Sequence, residues 1–338
     1  MTRLTRRRLL GTLPALGLGA TALHAALPHS HGSAAAATEH SSSAGHGAGE
    51  GHGGFRGGEV NHKANGFDPH TLVRDFDYGK TSKLPDGRTL REWTLTAAEQ
   101  DIEIAPGVTY AAWSYNGRIP GPTLRATEGD LLRIRFVNGS NHPHSIHFHG
   151  IHPANMDGVD PIAPGQAFVY EFDAAPYGLH LYHCHVRPLA EHISKGLYGA
   201  FIVDPKQPRE QADELIMVMN GFDTNFDGGN EVYAANSIGF AYAERPIAIK
   251  RGELVRIYLV NVLEYDLINS FHLHGNLFDY IPTGTSMRPS EFTDTVMLCQ
   301  GQRGILEVRF KQPGKYMFHA HQSEFTELGW LGFFEVSA

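Results

Sequence analysis

Apolar residues in this chain come in short runs rather than in long helical stripes. Residues 131–137 and the segment Ser145-Ile146-His147-Phe148-His149 read as strands, in which successive side chains point to opposite faces. Pro-Gly turns, Ile119-Pro120-Gly121-Pro122 and Ala163-Pro164-Gly165, punctuate such segments. The pattern predicts an all-β fold of Greek-key β-sandwich modules.

The pattern also repeats. Residues 128–138 align without a gap with residues 251–261, each copy a turn leading into a strand, and each followed by a His-x-His pair. Residues 177–183 parallel 313–319, and the apolar runs 199–203 and 332–336 close the two copies. Pro205 and Pro208 interrupt strand continuation between them. Two tandem domains are expected, residues 66–205 and 206–338, in keeping with a length of 338 residues.

The N-terminus reads differently. Thr5-Arg6-Arg7-Arg8-Leu9-Leu10 precedes an apolar stretch broken by Gly11, Pro14, Gly17 and Gly19. It resembles a twin-arginine export signal over residues 1–37, with cleavage between Ala22 and Ala37, rather than a membrane span. The mature form would then be periplasmic or secreted, with no membrane anchor. Residues 38–65, rich in Gly, Ser and His, lack the apolar content for a core and are expected to form a flexible tail. A formal net charge of -8 without a basic stripe excludes nucleic acid as the natural partner.

The chemistry concentrates in histidine. His147/His149, His183/His185, His272/His274 and His319/His321 each place two imidazoles on one side of an extended segment. Eight imidazoles in apolar strands need partners, and metal ions supply them. Cys184 lies between His183 and His185 and points the other way, so one tripeptide can serve two metal sites, with His192 shortly after. The other cysteine, Cys299, lies away from any histidine pair and reads as a buried small hydrophobe. The histidine flanks of Cys184 argue against a disulfide between the two.

On these four ordered histidine pairs and the internal repeat, the chain from about Tyr110 to its end resembles a two-domain multicopper oxidase of the bacterial laccase-like kind. The resemblance implies two cupredoxin-like domains and four coppers per chain. A type 1, or blue, copper would be held in the first domain by Cys184, His192 and His144, a soft thiolate with two imidazoles. His144 fits the family spacing ahead of His147 and His149, whereas His142 does not. Leu197 falls at the axial position, where it cannot coordinate, which raises the reduction potential. The second domain has Asn269 and Ala320 in place of His144 and Cys184, and so lacks this centre. His147 and His272 would hold a type 2 copper; His149, His183, His185, His274, His319 and His321 would hold a type 3 pair.

Because each domain supplies four of these eight ligands, the cluster must sit at a domain interface. The resemblance implies a homotrimer with the cluster between subunits. Asp157 and Glu324 are the carboxylates expected to serve proton supply. The activity implied is one-electron oxidation of a small phenolic or aromatic amine donor, coupled to four-electron reduction of dioxygen to water. Two rivals stand beside it. A cuprous-ion oxidase in copper tolerance would usually be richer in methionine than the seven found here. A copper nitrite reductase would carry an aspartate at the position of His147 and a single type 2 copper.

Overall fold

The computed structural model describes residues 58–338. The expected export signal and most of the expected tail lie outside the described residues. The rest is built mainly of strands in four sheets, as the all-β expectation required. No helix among the described residues is long and apolar enough to cross a membrane.

Two sheets belong to the first half of the described chain. In one, Leu131–Asn138 runs parallel to Thr89–Ala105 and antiparallel to Ala167–Asp173. In the other, the order is Leu124–Thr127, Tyr198–Asp204, Gly178–His183 and His147–Phe148. Leu132, Ile134 and Phe136 point into the core between them, while Arg133 lies outside and bridges Glu92 and Glu171. The second half repeats the plan: Leu254–Asn261 runs parallel to Asp213–Phe222 and antiparallel to Arg303–Arg309. Its second sheet runs Ile247–Lys250, Leu331–Ser337, Gly314–His319, Ile268–Leu273 and Thr295–Cys299.

The repeated strands differ in burial for a physical reason. Leu131–Asn138 alternates between inside and outside, whereas Leu254–Asn261 is buried along its whole length. The extra burial comes from the first half: Tyr258 and Val260 join Ile216 and Val218 in one apolar cluster with Leu179, Leu181 and Ile202. Beside it, the Arg125 guanidinium donates to Asp204 at 2.8 Å and to Glu214 at 2.6 Å. Removing one partner of so buried a pair costs on the order of 3–5 kcal/mol.

The last residues of the expected tail, 58–65, are ordered. Asn61 caps a helical turn, His62–Asn65, with its side chain accepting from the Ala64 N–H at 3.0 Å. The Asn65 amide then donates to the Glu103 carbonyl at 2.9 Å and accepts from the Glu103 N–H at 2.8 Å. Val60 and Phe67 are buried in the same cluster that joins the halves. The Gly/Ser/His bias of the window hid these few anchoring residues, so the expected tail includes ordered residues near its end.

Candidate metal centre

His144 precedes the strand His147–Phe148, Cys184 follows the strand Gly178–His183, and His192 lies in the helix Leu189–Ser194. Backbone bonds bring them together: the Cys184 N–H donates to the Leu197 carbonyl at 2.9 Å, and the Leu197 N–H to the His192 carbonyl at 3.3 Å. The Cys184 Sγ is then 3.2 Å from His192 Nδ1 and 3.9 Å from His144 Nδ1, with the two Nδ1 atoms 3.1 Å apart. All three residues are buried. Burial pushes the Cys184 thiol up and both imidazoles down, His144 to about 3 with help from nearby His192. Both rings therefore stay neutral, with lone pairs free for a metal. One soft sulfur and two nitrogens at these separations suit a single ion bonded at about 2.0–2.3 Å.

Leu197 is fully buried in the cluster that contains Cys184 and offers no donor atom. His142 turns outward and pairs with Glu99 at 2.9 Å, so it is not part of the triad. Trp113 was not singled out in the sequence. Its ring packs against those of His144 and His192, with centroids 5.0 and 4.9 Å away. An aromatic residue in an ordinary strand carries no local signal of such a role.

The four histidine pairs form two separate sets. His147 and His183 face each other across paired strands, as do His272 and His319. The Nδ1 atoms are held alike. His147 Nδ1 lies 2.8 Å from the Asp157 carbonyl and His183 Nδ1 2.8 Å from the Cys184 carbonyl. His272 Nδ1 lies 3.1 Å from the Asp294 carbonyl and 2.8 Å from Thr295 Oγ1; His319 Nδ1 bonds the Ala320 carbonyl. A carbonyl only accepts, so each of these Nδ1 atoms carries the proton and each Nε2 presents a lone pair.

In the first set Nε2 of His149 and His183 are 3.0 Å apart, and in the second Nε2 of His274 and His319 are 2.9 Å apart. Such crowding of nitrogens is what a shared cation resolves. Burial pushes His149 down to about 3 and His183 to about 4. His185 and His321 complete the sets, each 5.3 Å ring to ring from His147 and His272 respectively.

The two sets do not meet within the chain. Among the described residues, every ring contact between two of these eight histidines joins members of the same set. A cleft of about 310 Å³ over His147, His149, His183 and His185 is bordered from the second half by Val262, Gln300 and Gly301, not by histidines.

The Asp157 carboxylate lies 3.0 Å from His147 Nδ1. Asp294 is its counterpart, 3.9 Å from His272 Nδ1. It went unrecognised because it lies twenty-two residues beyond its histidine, against ten for Asp157. Glu324 is exposed on the helix Ser323–Glu327 and makes no bond to any of the eight histidines. Both cysteines are free, and Cys299 is exposed rather than buried. The alternation of Thr295–Cys299 turns Val296 and Leu298 inward and Met297 and Cys299 outward.

Tandem cupredoxin-like sandwiches with a Cys-His-His cradle and paired histidines are the features of a copper-binding oxidoreductase. Comparison with known proteins agrees: multicopper oxidase family models match residues 96–208 and 210–338. The chain belongs to the multicopper oxidase family, a family of oxidoreductases. A solved structure of a multicopper oxidase is 61% identical, with a TM-score of 0.81 over 82% of this chain and 100% of that one. A copper-containing nitrite reductase of Neisseria meningitidis is 29% identical over 67% of this chain. The match spans 64% of that reductase's length. A copper resistance protein A homolog of Pseudomonas syringae pv. tomato is 41% identical over 148 residues, 41% of this chain and 24% of that protein.

Proposed function

We propose that this chain is a laccase-like oxidase, taking single electrons from small phenolic or aromatic amine donors and reducing dioxygen to water. The observation that carries the reading is the pairing of one Cys-His-His cradle with two four-histidine sets. Copper, when bound, would supply a one-electron acceptor at the cradle and three more at the histidine sets, four electrons in all. The protein's part is to hold His144, Cys184 and His192 in a dry pocket and to fix the protonated Nδ1 atoms so that Nε2 faces the metal. Cys184 is bonded directly to His183 and His185, which gives electrons a short covalent path. Asp157, on His147, orients that ring and can pass protons towards the oxygen site.

Each set holds half the ligands of a three-copper cluster, so we assign the cluster to the junction between subunits of a homotrimer. His147, His149, His183 and His185 of one subunit would meet His272, His274, His319 and His321 of its neighbour. Exposed apolar side chains flank both sets, Ile151 and Val159 near the first, Phe292 and Met297 near the second, as a subunit contact requires. We assign the protein to the periplasm or the exterior on its twin-arginine-like N-terminus.

Metal analysis should find about four coppers per chain. Mixing His147→Ala with His272→Ala subunits should restore oxygen uptake that neither variant has alone, because some junctions in mixed trimers regain all eight histidines. About two coppers per chain, or no restoration, would sink the assignment. The likeness to a copper resistance protein keeps cuprous ion as a second candidate donor, tested by oxygen uptake with Cu(I) in place of an amine. His147, where a nitrite reductase would need aspartate, counts against nitrite reduction.

A further inference from the structure

The strand Asp213–Phe222 leads into a loop, residues 223–231, that faces the helix carrying His192. Between them lies a cleft of about 490 Å³ whose walls include Tyr110, Glu191, Lys195, Asp227, Phe226 and Tyr265. Phe226 and Tyr265 are 64% and 40% exposed, and both hold left-handed backbones, with φ of 62° and 70°. That conformation costs a bulky residue about 1–2 kcal/mol and persists where the surroundings enforce it. At Phe226 the loop enforces it: the Asp223 carboxylate accepts from the N–H of Asp227 at 3.1 Å and of Gly228 at 2.9 Å. Glu231 accepts from the Thr224 N–H at 2.6 Å and from Asn225 Nδ2 at 2.8 Å. The Phe226 side of the wall is held in place before anything binds.

The same walls already hold a cation. The Lys195 ammonium lies 4.9 Å from the Phe226 ring centre, 5.3 Å from Trp113 and 5.7 Å from Tyr110. Trp113 in turn touches both histidines of the cradle, so Lys195 on the cleft wall and the cradle histidines pack on one indole. Three carboxylates, Glu191, Asp223 and Asp227, outnumber the single Lys195 around the opening. Ring faces attract cations, and the net negative charge adds to that attraction.

We propose that this cleft is the donor-docking site and that it selects positively charged aromatic amines over anionic aromatics. The inference rests on the oxidase reading above. The donor ring stacks on Phe226 and Tyr265, and its cationic nitrogen faces Glu191 and Asp227. With copper held by His144, Cys184 and His192, one electron would leave the ring for that acceptor, which the proposed activity reoxidises with dioxygen. The donor becomes one unit more positive, no bond forms or breaks in this step, and the carboxylates stabilise the added charge.

Phenyltrimethylammonium is a redox-inert probe of this site, so calorimetric titration of the copper-loaded protein reads docking without turnover. Phe226→Ala and Asp227→Asn should each weaken its binding by about tenfold, and added salt should weaken it further. No binding, or binding that both variants leave unchanged, would overturn the proposal. Oxygen uptake with N,N-dimethyl-p-phenylenediamine and with hexacyanoferrate(II) separates this failure from failure of the oxidase reading. Phe226→Ala should raise KM for the amine several times more than for hexacyanoferrate(II). Uptake with both donors and equal changes in KM would overturn the cleft alone; uptake with neither would overturn the oxidase.

Discussion

The pocket that holds Cys184 in the first half of the chain has a counterpart in the second half that is filled with carbon. Backbone bonds identify the equivalent positions. The Cys184 N–H reaches the Leu197 carbonyl and the Leu197 N–H the His192 carbonyl; likewise the Ala320 N–H reaches Trp330 at 3.2 Å and the Trp330 N–H reaches Phe325 at 2.8 Å. His144, Cys184, His192 and Leu197 thus correspond to Asn269, Ala320, Phe325 and Trp330. The Trp330 indole is 1% exposed, packs against Phe271 and Phe318, and donates to the Ser270 carbonyl at 3.0 Å. One trace of polarity remains: Asn269 Nδ2 is buried without a partner, at a cost of about 1–3 kcal/mol. The histidine pairs, by contrast, are kept in both halves, with Nδ1 of His147, His183, His272 and His319 each held by a carbonyl. On the proposed function, electrons enter through one half only, while dioxygen needs both.

The comparison is most strongly tested by emptying the filled pocket. Trp330→Ala should lower stability by about 3–5 kcal/mol, read as a fall in the denaturation midpoint. It should leave the blue absorption of the first half unchanged, because the two pockets share no side chain. A fall well under 1 kcal/mol would mean that the indole does not hold the second sandwich together, and the account of a packed replacement would fail.

Much of this arrangement was legible in the chain. The gap-free match of 128–138 to 251–261 specified tandem sandwiches, because a turn leading into a strand is written locally in the chain. The His-x-His pairs announced metal chemistry for the same reason. What the sequence hid depends on tertiary contact. Trp113 touches His144 and His192 from a separate strand. Asp294 reaches His272 from a longer excursion than the one that brings Asp157 to His147. Phe325 and Trp330 fall in register with His192 and Leu197 through Gly196 and Gly329, but only the packed structure shows that their rings fill the pocket. Val60 and Asn65 escape notice because a few anchors inside a Gly/Ser/His window outweigh its average composition. Cys299 was misread in the opposite direction: its strand alternates, and it falls on the outer phase.

The carboxylates on the two histidine sets sharpen the comparison further. Asp157 contacts His147 through both its carbonyl and its carboxylate, while Asp294 keeps its carboxylate 3.9 Å from a ring already held by Thr295 at 2.8 Å. Asp157→Asn should slow oxygen uptake by about 10–100-fold, the range for losing a supporting group behind a metal ligand, with the blue band intact. Asp294→Asn should slow it only a few-fold, because Thr295 still fixes the ring. Reoxidation of the anaerobically reduced protein by a pulse of dioxygen measures both. Equal effects would mean that the two sets are supported alike, despite their different distances.

The smallest change asks whether Leu197 does more than pack. Leucine and methionine have similar volumes, so Leu197→Met should cost less than about 1.5 kcal/mol in stability. A thioether beside Cys184 would favour the oxidised ion over the reduced one and lower the potential. The expected fall is at least about 59 mV, the tenfold step of a one-electron couple, read by redox titration of the blue band. Trp330→Met, at the matching position of the second half, should leave that potential where it is, because Ala320 offers no thiolate for a metal to bind. An unchanged potential in Leu197→Met would show that the methionine sulfur is not directed at the metal. The leucine would then act on the centre only by keeping water out, as the indole of Trp330 does in the other half.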